Sequence, residues 1–164
     1  MAGMSAKGQR PENQDVILII DSLGGDFSRS VVGVLDGHGK WGKHAADMGR
    51  DVLAEILTSP EYLAKMLDDP EAGLKEAFVQ THLRLCEADD KSRNVRYSGA
   101  TATLCYFTEE SMVVANVGDS DMVLGSLAEI SAPGVCEKHI SAVVTGSHRA
   151  EVRHSASPPF KTAE

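Results

Sequence analysis

The sequence is poor in aromatic side chains, which make up 5% of its 164 residues and include a single Trp. We therefore expect a core built mainly from Val, Leu, Ile, Ala and Met, in one globular domain of ordinary hydrophobic content. Cysteine is also scarce, because only Cys86, Cys105 and Cys136 are present and they form no CxxC or zinc-type spacing. Free thiols in a reducing compartment are the expected state.

Positive charge is in deficit, since 16 Lys and Arg face 24 Asp and Glu and leave a net charge of -8. This balance argues against a nucleic-acid groove or an anionic membrane surface as partner. No apolar run approaches the roughly 20 residues that cross a bilayer, and residues 1–9 lack the apolar stretch of a secretory signal. We expect a protein of the cytoplasm or nucleus, or of an organelle if an import sequence has already been removed.

Apolar runs and turn residues predict the first half of the secondary structure. Residues 16–20 form an unbroken aliphatic run, which predicts a strand buried on both faces, and residues 31–35 predict its hairpin partner. A period near 3.6 predicts an amphipathic helix over residues 40–58. Cap-Pro-Glu signatures at 59–61 and 69–71 predict the starts of two more helices.

The second half returns to a period of two. Residues 100–107, 112–117 and 122–125 are predicted as three short strands of one antiparallel meander. One more strand is predicted over residues 139–144. The C-terminal part is rich in small polar residues, so residues 151–164 are predicted as a solvated tail.

One stretch, V-V-G-V-L-D-G-H-G at residues 31–39, combines structural and chemical signals. An apolar run ends in Asp36 and two glycines bracket His38, which predicts a strand, a tight turn and then the helix. Glycine lets the backbone approach a ligand closely, and a carboxylate beside an imidazole suits cation binding together with proton transfer. The alternative is an ordinary Asp-Gly turn with a solvated histidine, which is the commoner meaning of such a tetrapeptide.

Three further segments stand out with this one. In chain order the four read G-x-R-x-x-N-x-D at 8–15, V-x-D-G-H-G at 34–39, S-G-A-T-A at 98–102 and N-V-G-D-S at 116–120. Together they resemble the metal-dependent (type 2C) serine/threonine protein phosphatases. The resemblance predicts a partial type 2C phosphatase-like domain over residues 1–150.

The resemblance implies an α+β fold, an antiparallel β-sandwich flanked by helices, of which this chain holds the N-terminal part. In the family two Mn²⁺ or Mg²⁺ ions share a hydroxide that attacks the phosphorus of phosphoserine or phosphothreonine. Arg10 would then hold the phosphate through its forked guanidinium. His38 would be the general acid that protonates the leaving alkoxide.

The resemblance also assigns the metal ligands, because hard cations prefer oxygen donors. Asp36 would bridge the two ions, and the Gly37 carbonyl would bind one of them. Asp15 would hold metal-bound waters, and Asp119 matches the family's third, weaker metal site. The structural alternatives are a plain surface pair of Arg10 with Asp15 and a simple turn-forming role for Asp119.

The sequence also departs from the family pattern. Gln14 stands where the family usually has Glu, and Asp121 stands where it usually has Arg. The D-G and D-N motifs that complete the family's metal site have no match, because no aspartate follows Asp121. We therefore expect weak cation binding and no activity from this chain alone.

Two functions stay open at this point. The first is a protein phosphatase, acting on phosphoproteins, of which these residues are one piece. The second is a catalytically inactive phosphatase-like module that serves as a structural or binding subunit. In the second case a protein partner is expected to cover the open side of the sandwich.

Overall fold

The computed structural model describes residues 2–88, 97–132, 135–144 and 151–155, with side chains described as far as residue 124. In chain order its elements are β1 (Asp15–Ile20), β2 (Ser30–His38), α1 (Gly42–Thr58), α2 (Pro60–Asp68), α3 (Pro70–Glu87), β3 (Gly99–Ala100), β4 (Ala102–Phe107), β5 (Met112–Val117), β6 (Val123–Ala132), β7 (Val135–Val144) and β8 (Glu151–Ser155).

The main sheet is antiparallel and has the strand order β1-β2-β4-β5-β8, with the short β3 pairing to β2. Three helices flank it, which confirms the predicted α+β class. The predicted meander is wrong in its third strand, because β6 pairs with β7 in a separate two-stranded sheet. β8 lies beside β5 instead, so the predicted tail is wrong over Glu151–Ser155. Residues 156–164 of that prediction lie outside the described residues.

The helix starts follow the local sequence closely. Ser59 caps α2 by accepting a hydrogen bond from the Tyr62 amide at 3.4 Å, and Asp69 caps α3 by accepting one from the Ala72 amide at 3.0 Å. A proline occupies the first turn of each helix, where its missing N–H costs nothing. Both predicted starts are confirmed. None of the helices in the described residues is long and apolar enough to cross a membrane.

The helices cover one face of the sheet, and the main hydrophobic core lies between the helices and that face. Val16 and Leu18 of β1 point into this core together with Leu35 of β2 and Leu104 of β4. The prediction that β1 is buried on both faces is wrong, because Ile19 is exposed. Successive side chains of a strand point to opposite faces, and an aliphatic run does not reveal how many faces are covered.

β2 continues past its predicted end at Leu35. Gly37 pairs with Ala100 and His38 with Gly99, so Asp36 lies within the strand rather than at a tight turn. The turn comes at Gly39, whose φ of 83° falls in the left-handed region that favours glycine. The extension depends on pairing with a strand about sixty residues away, which local pattern cannot predict.

Candidate active site

The backbone of Asp36 is fixed by one residue from β4's side of the sheet. The Thr101 amide donates to the Asp36 carbonyl at 2.9 Å, and the Asp36 amide donates to Thr101 Oγ1 at 3.1 Å. Thr101 is buried, so these two hydrogen bonds are shielded from water. The strand therefore presents the Asp36 side chain from a rigid support.

Asp36 has a second carboxylate directly across from it. Asp15 of β1 is its register partner, and residues opposite one another in a sheet share a face. Like charges in this position destabilise a sheet unless a cation lies near them. Arg10 supplies one, with Nη1 at 3.5 Å from Asp36 Oδ1. Because both partners are partly exposed, this ion pair alone contributes at most about 1 kcal/mol to stability.

A cavity of about 210 Å³ opens beside these groups. Its lining consists of Ala6, Lys7, Arg10, Glu12, Asn13, Gln14, Asp15 and Asp36. The structure thus brings Arg10, Asp15 and Asp36 together at one place, as the motif order suggested. Lys7 and Glu12 were missed by sequence reasoning, because each lies in an irregular segment whose course is set by tertiary contacts.

The other candidate residues, which are Gly37, His38 and Asp119, are not among the described residues that line this cavity. His38 is exposed and is two residues from Asp36 along β2, so alternation puts it on the same face. Its imidazole packs over Gly99, where an added Cβ would lie 2.9 Å from Nε2. Gly37 is buried, and its amide donates to the Gln14 carbonyl at 3.2 Å. Asp119 is exposed in the turn after β5.

The S-G-A-T-A and N-V-G-D-S motifs support the site from behind. Ser98 Oγ accepts from the Trp41 amide at 3.0 Å, just before α1 begins. The hydroxyls of Thr101 and Ser120 lie 2.6 Å apart, which joins the two motifs. A second hydrogen bond joins β4 and β5 nearby, because Thr103 Oγ1 donates to the buried Asn116 Oδ1 at 2.7 Å. Among these residues Thr101 bonds directly to Asp36, and the described lining of the cavity contains no residue of either motif.

Gln14 also has a defined structural role. Its Nε2 donates to the Gly39 carbonyl at 3.1 Å, and the same oxygen accepts from the Gly42 amide at 3.3 Å. An ionised glutamate accepts hydrogen bonds only and could not make the first of these contacts. The amide side chain is therefore adapted to the turn between β2 and α1.

The site residues supply one suitable ligand for a divalent cation, the Asp36 carboxylate, but they do not supply a complete set of ligands. Asp36 Oδ1 is itself buried and has no hydrogen-bond partner, although it is near Arg10. A buried carboxylate oxygen without a hydrogen bond is well suited to bind a cation. Asp15 Oδ2, by contrast, already accepts from Ser5 Oγ at 2.7 Å. Across the described ranges, no three His, Cys, Asp or Glu side chains are grouped so as to hold a metal ion.

Comparison with known proteins assigns the family. The family model described as "Protein phosphatase 2C" matches residues 1–153. The chain belongs to the protein phosphatase 2C family. Its antiparallel sheet with flanking helices is the architecture of the phosphatase structures that it matches, so the predicted membership and fold class are confirmed.

Two curated phosphatase 2C relatives from plants show the extent of the similarity. "Probable protein phosphatase 2C 35" of Arabidopsis thaliana is 34% identical, with 74% of this chain and 34% of that protein covered. "Probable protein phosphatase 2C 48" of Oryza sativa subsp. japonica is 31% identical, with 74% of this chain and 38% of that protein covered. The chain thus spans little more than a third of the length of these relatives.

Solved phosphatase structures show the same fold. A bacterial serine phosphatase superimposes with a TM-score of 0.64 at 22% identity, over 86% of this chain and 51% of that chain. The PPM Ser-Thr phosphatase MsPP from Mycobacterium smegmatis, solved in complex with cacodylate, gives a TM-score of 0.51 at 26% identity. That match covers 85% of this chain and 49% of that one.

Proposed function

We propose that this chain carries the phosphate-binding side and the first metal ligand of a protein serine/threonine phosphatase site. The substrates would be phosphoserine and phosphothreonine in proteins. The observation that carries the proposal is the facing pair Asp15 and Asp36, with Arg10 at 3.5 Å from a buried Asp36 oxygen that has no hydrogen bond. Family membership supplies the reaction class.

Arg10 is suited to hold the phosphate. Its side chain is 64% exposed, so the guanidinium is accessible to a ligand that enters from solvent. A guanidinium binds two phosphate oxygens through parallel hydrogen bonds. Lys7 lines the same cavity and adds a second positive charge near the entering phosphate. Together they offset the carboxylates that would otherwise repel a phosphate ester.

His38 and the carboxylates divide the remaining work. His38 would donate the proton that the leaving alkoxide needs, because its exposed imidazole lies on the same face of β2 as Asp36. Asp36 and the Gly37 carbonyl would hold Mn²⁺ or Mg²⁺, and Asp15 would hold the water around it. Asp119 would contribute only to a further, weaker ion. The cation would supply an activated water for attack on phosphorus.

A second function is favoured by the small number of metal donors. Hard divalent cations take about six oxygen ligands, whereas the described residues contain no group of three candidate side chains. We therefore propose that the 164 residues alone bind the cation weakly and do not turn over substrate. In that form the chain would act as an inactive phosphatase-like module that binds a protein partner over the open side of its sheet.

Titration of the purified chain with Mn²⁺, together with hydrolysis of a phosphothreonine peptide, tests both functions. We expect Mn²⁺ binding to be lost in Asp36→Asn and retained in Glu12→Gln, which removes one charge from the same cavity. Equal Mn²⁺ affinity in wild type and Asp36→Asn would contradict the assigned ligand. Turnover that disappears in Asp36→Asn would establish the enzyme and eliminate the inactive module.

A further inference from the structure

A second cavity lies on the opposite side of the sheet from the candidate active site. It has a volume of about 310 Å³, is lined by residues of α1, α3 and the strands behind them, and opens to solvent where Val79 and Leu83 are exposed. We call it the helix cavity. Its apolar walls include Leu35, Leu53, Phe78, Leu85, Ala102 and Val117. The volume is at the lower end of the roughly 300–1,000 Å³ found for small-molecule sites.

The helix cavity contains one polar group without a partner. Thr81 of α3 is only 6% exposed, and its Oγ1 has no hydrogen-bond partner in the described part of the chain. Leaving a buried hydroxyl unsatisfied costs free energy, so native structures seldom do so without a reason. A ligand with one hydrogen-bonding atom would satisfy this group.

The other polar side chains of the lining are already engaged. Thr101 Oγ1 accepts from the Asp36 amide and lies 2.6 Å from the Ser120 hydroxyl. His82 Nε2 lies 3.6 Å from Cys86 Sγ, and His82 is exposed at the edge of the cavity. No Asp, Glu, Lys or Arg is among the described lining residues. A charged ligand would therefore lose its hydration without gaining a counter-charge.

We propose that the helix cavity binds a small, neutral, largely apolar molecule through one hydroxyl or carbonyl group that hydrogen-bonds to Thr81 Oγ1. Apolar walls supply most of the affinity by removing hydrocarbon surface from water. Thr81 supplies the preference for a ligand with a polar atom. The site is separate from the cavity of the candidate active site, which is lined by Arg10, Asp15 and Asp36, opens on the other face of the sheet and has mainly polar walls.

The position of Thr101 gives this site a natural reporter. Thr101 belongs to the lining of the helix cavity and also holds both backbone groups of Asp36. A molecule in the cavity therefore contacts a residue that is hydrogen-bonded to the Asp36 backbone. The amide signals of Thr101 and Ala102 are expected to shift when the cavity fills.

The matched probes 2-naphthol and naphthalene test the proposal, because they differ by one hydroxyl group. Binding is measured from amide chemical shifts of the purified chain as each probe is added. We expect 2-naphthol to bind about tenfold more tightly than naphthalene, the ratio that one net hydrogen bond provides. Shifts at Thr101 and Ala102 would locate both probes in the helix cavity.

Thr81→Val is the decisive variant, because it replaces the hydroxyl with a methyl group of similar size. We expect Thr81→Val to bind naphthalene as well as the wild type does and to lose the preference for 2-naphthol. A preference that survives in Thr81→Val would overturn the proposal. It would also be overturned if neither probe bound, since other residues of the chain would then fill the cavity, or if the shifts clustered away from Thr101.

Discussion

The two faces of the β1–β2 hairpin differ sharply, although both are made of aliphatic side chains. On the face beneath the helices, Leu18 is 3% exposed and Leu35 is 2% exposed. On the opposite face, their chain neighbours Ile19 and Val34 are 41% and 46% exposed. The first face gains its stability from packing. The second leads directly to Asp15 and Asp36, so candidate chemistry lies on the less covered side of a well-buried support.

This contrast explains how a partly exposed carboxylate can still be held in a fixed position. Thr101, which fixes Asp36, acts on its backbone and is itself buried. The carboxylate itself has one buried oxygen without a hydrogen bond. Rigidity of the support and availability of the ligand atom are therefore properties of different atoms in one residue.

The largest test of the contrast compares Leu18→Ala with Ile19→Ala, two truncations at adjacent positions of β1. Leu18→Ala should lower the free energy of unfolding by about 3 kcal/mol, because it removes buried methyl groups and leaves a cavity. Ile19→Ala should cost less than about 1 kcal/mol, since much of its side chain already contacts water. Urea denaturation of both variants measures the difference. Equal losses would mean that the second face is covered in solution.

The support beneath Asp36 is tested by Thr101→Val. This change leaves the Asp36 amide without its acceptor in a buried place, so we expect a loss of about 2 kcal/mol in the free energy of unfolding. Thr58→Val is the control, because Thr58 is an exposed threonine at the end of α1. That control should cost less than about 0.5 kcal/mol. A Thr101→Val variant as stable as the control would show that the tether does not hold the strand.

Cys105 sharpens the comparison, because it lies on the same face as Ile19 but is fully buried. Burial raises the pKa of the Cys105 thiol from about 9 to about 12. Between these values the unfolded chain loses the proton and the folded chain keeps it. Folding stability should therefore fall as pH rises above 9, by up to about 1.4 kcal/mol per pH unit.

The variant Cys105→Ala isolates this effect from other groups that titrate at high pH. The difference in unfolding free energy between wild type and Cys105→Ala should change with pH above 9 and stay constant below it. Peptide mapping after alkylation at pH 8 gives an independent reading. Cys86, which is exposed, should be modified well before Cys105. Rapid modification of Cys105 would contradict a buried thiol on this face.

Local signals predicted some features of the fold and missed others for one physical reason. The starts of α2 and α3 were predictable because a cap residue and a proline act within one helical turn. The extension of β2 through His38 and the position of β8 beside β5 depend on strands far away in the chain. The residues next to Asp36 in the sequence carry no signal that predicts the pairing of β2 with β3. The prediction of a turn at Asp36 failed for that reason.

The candidate site divides in the same way. Arg10, Asp15 and Asp36 were identified from motif order, and the structure brings them to one cavity. The register that places Asp15 directly opposite Asp36 became visible only with the sheet. Thr101 belongs to a motif found in the sequence, but its hydrogen bonds to Asp36 could not be inferred from that motif. The roles of Arg10, Asp15 and Asp36 in binding and catalysis stay predictions.

The smallest expected effect concerns Gln14, which lies at the end of the hairpin where the two faces meet the turn to α1. Gln14→Glu replaces the donor to the Gly39 carbonyl with a carboxylate, so we expect a loss of about 1 kcal/mol in the free energy of unfolding. Gln9→Glu adds the same charge at an exposed position and should be neutral. With Mn²⁺ present, the difference in unfolding free energy between the two variants should become smaller, because residue 14 lines the same cavity as Asp15 and Asp36 and the added carboxylate offers the cation a further ligand. If Gln14→Glu matched Gln9→Glu without Mn²⁺, the amide would have no role in the turn, and its difference from the family pattern would be unrelated to folding.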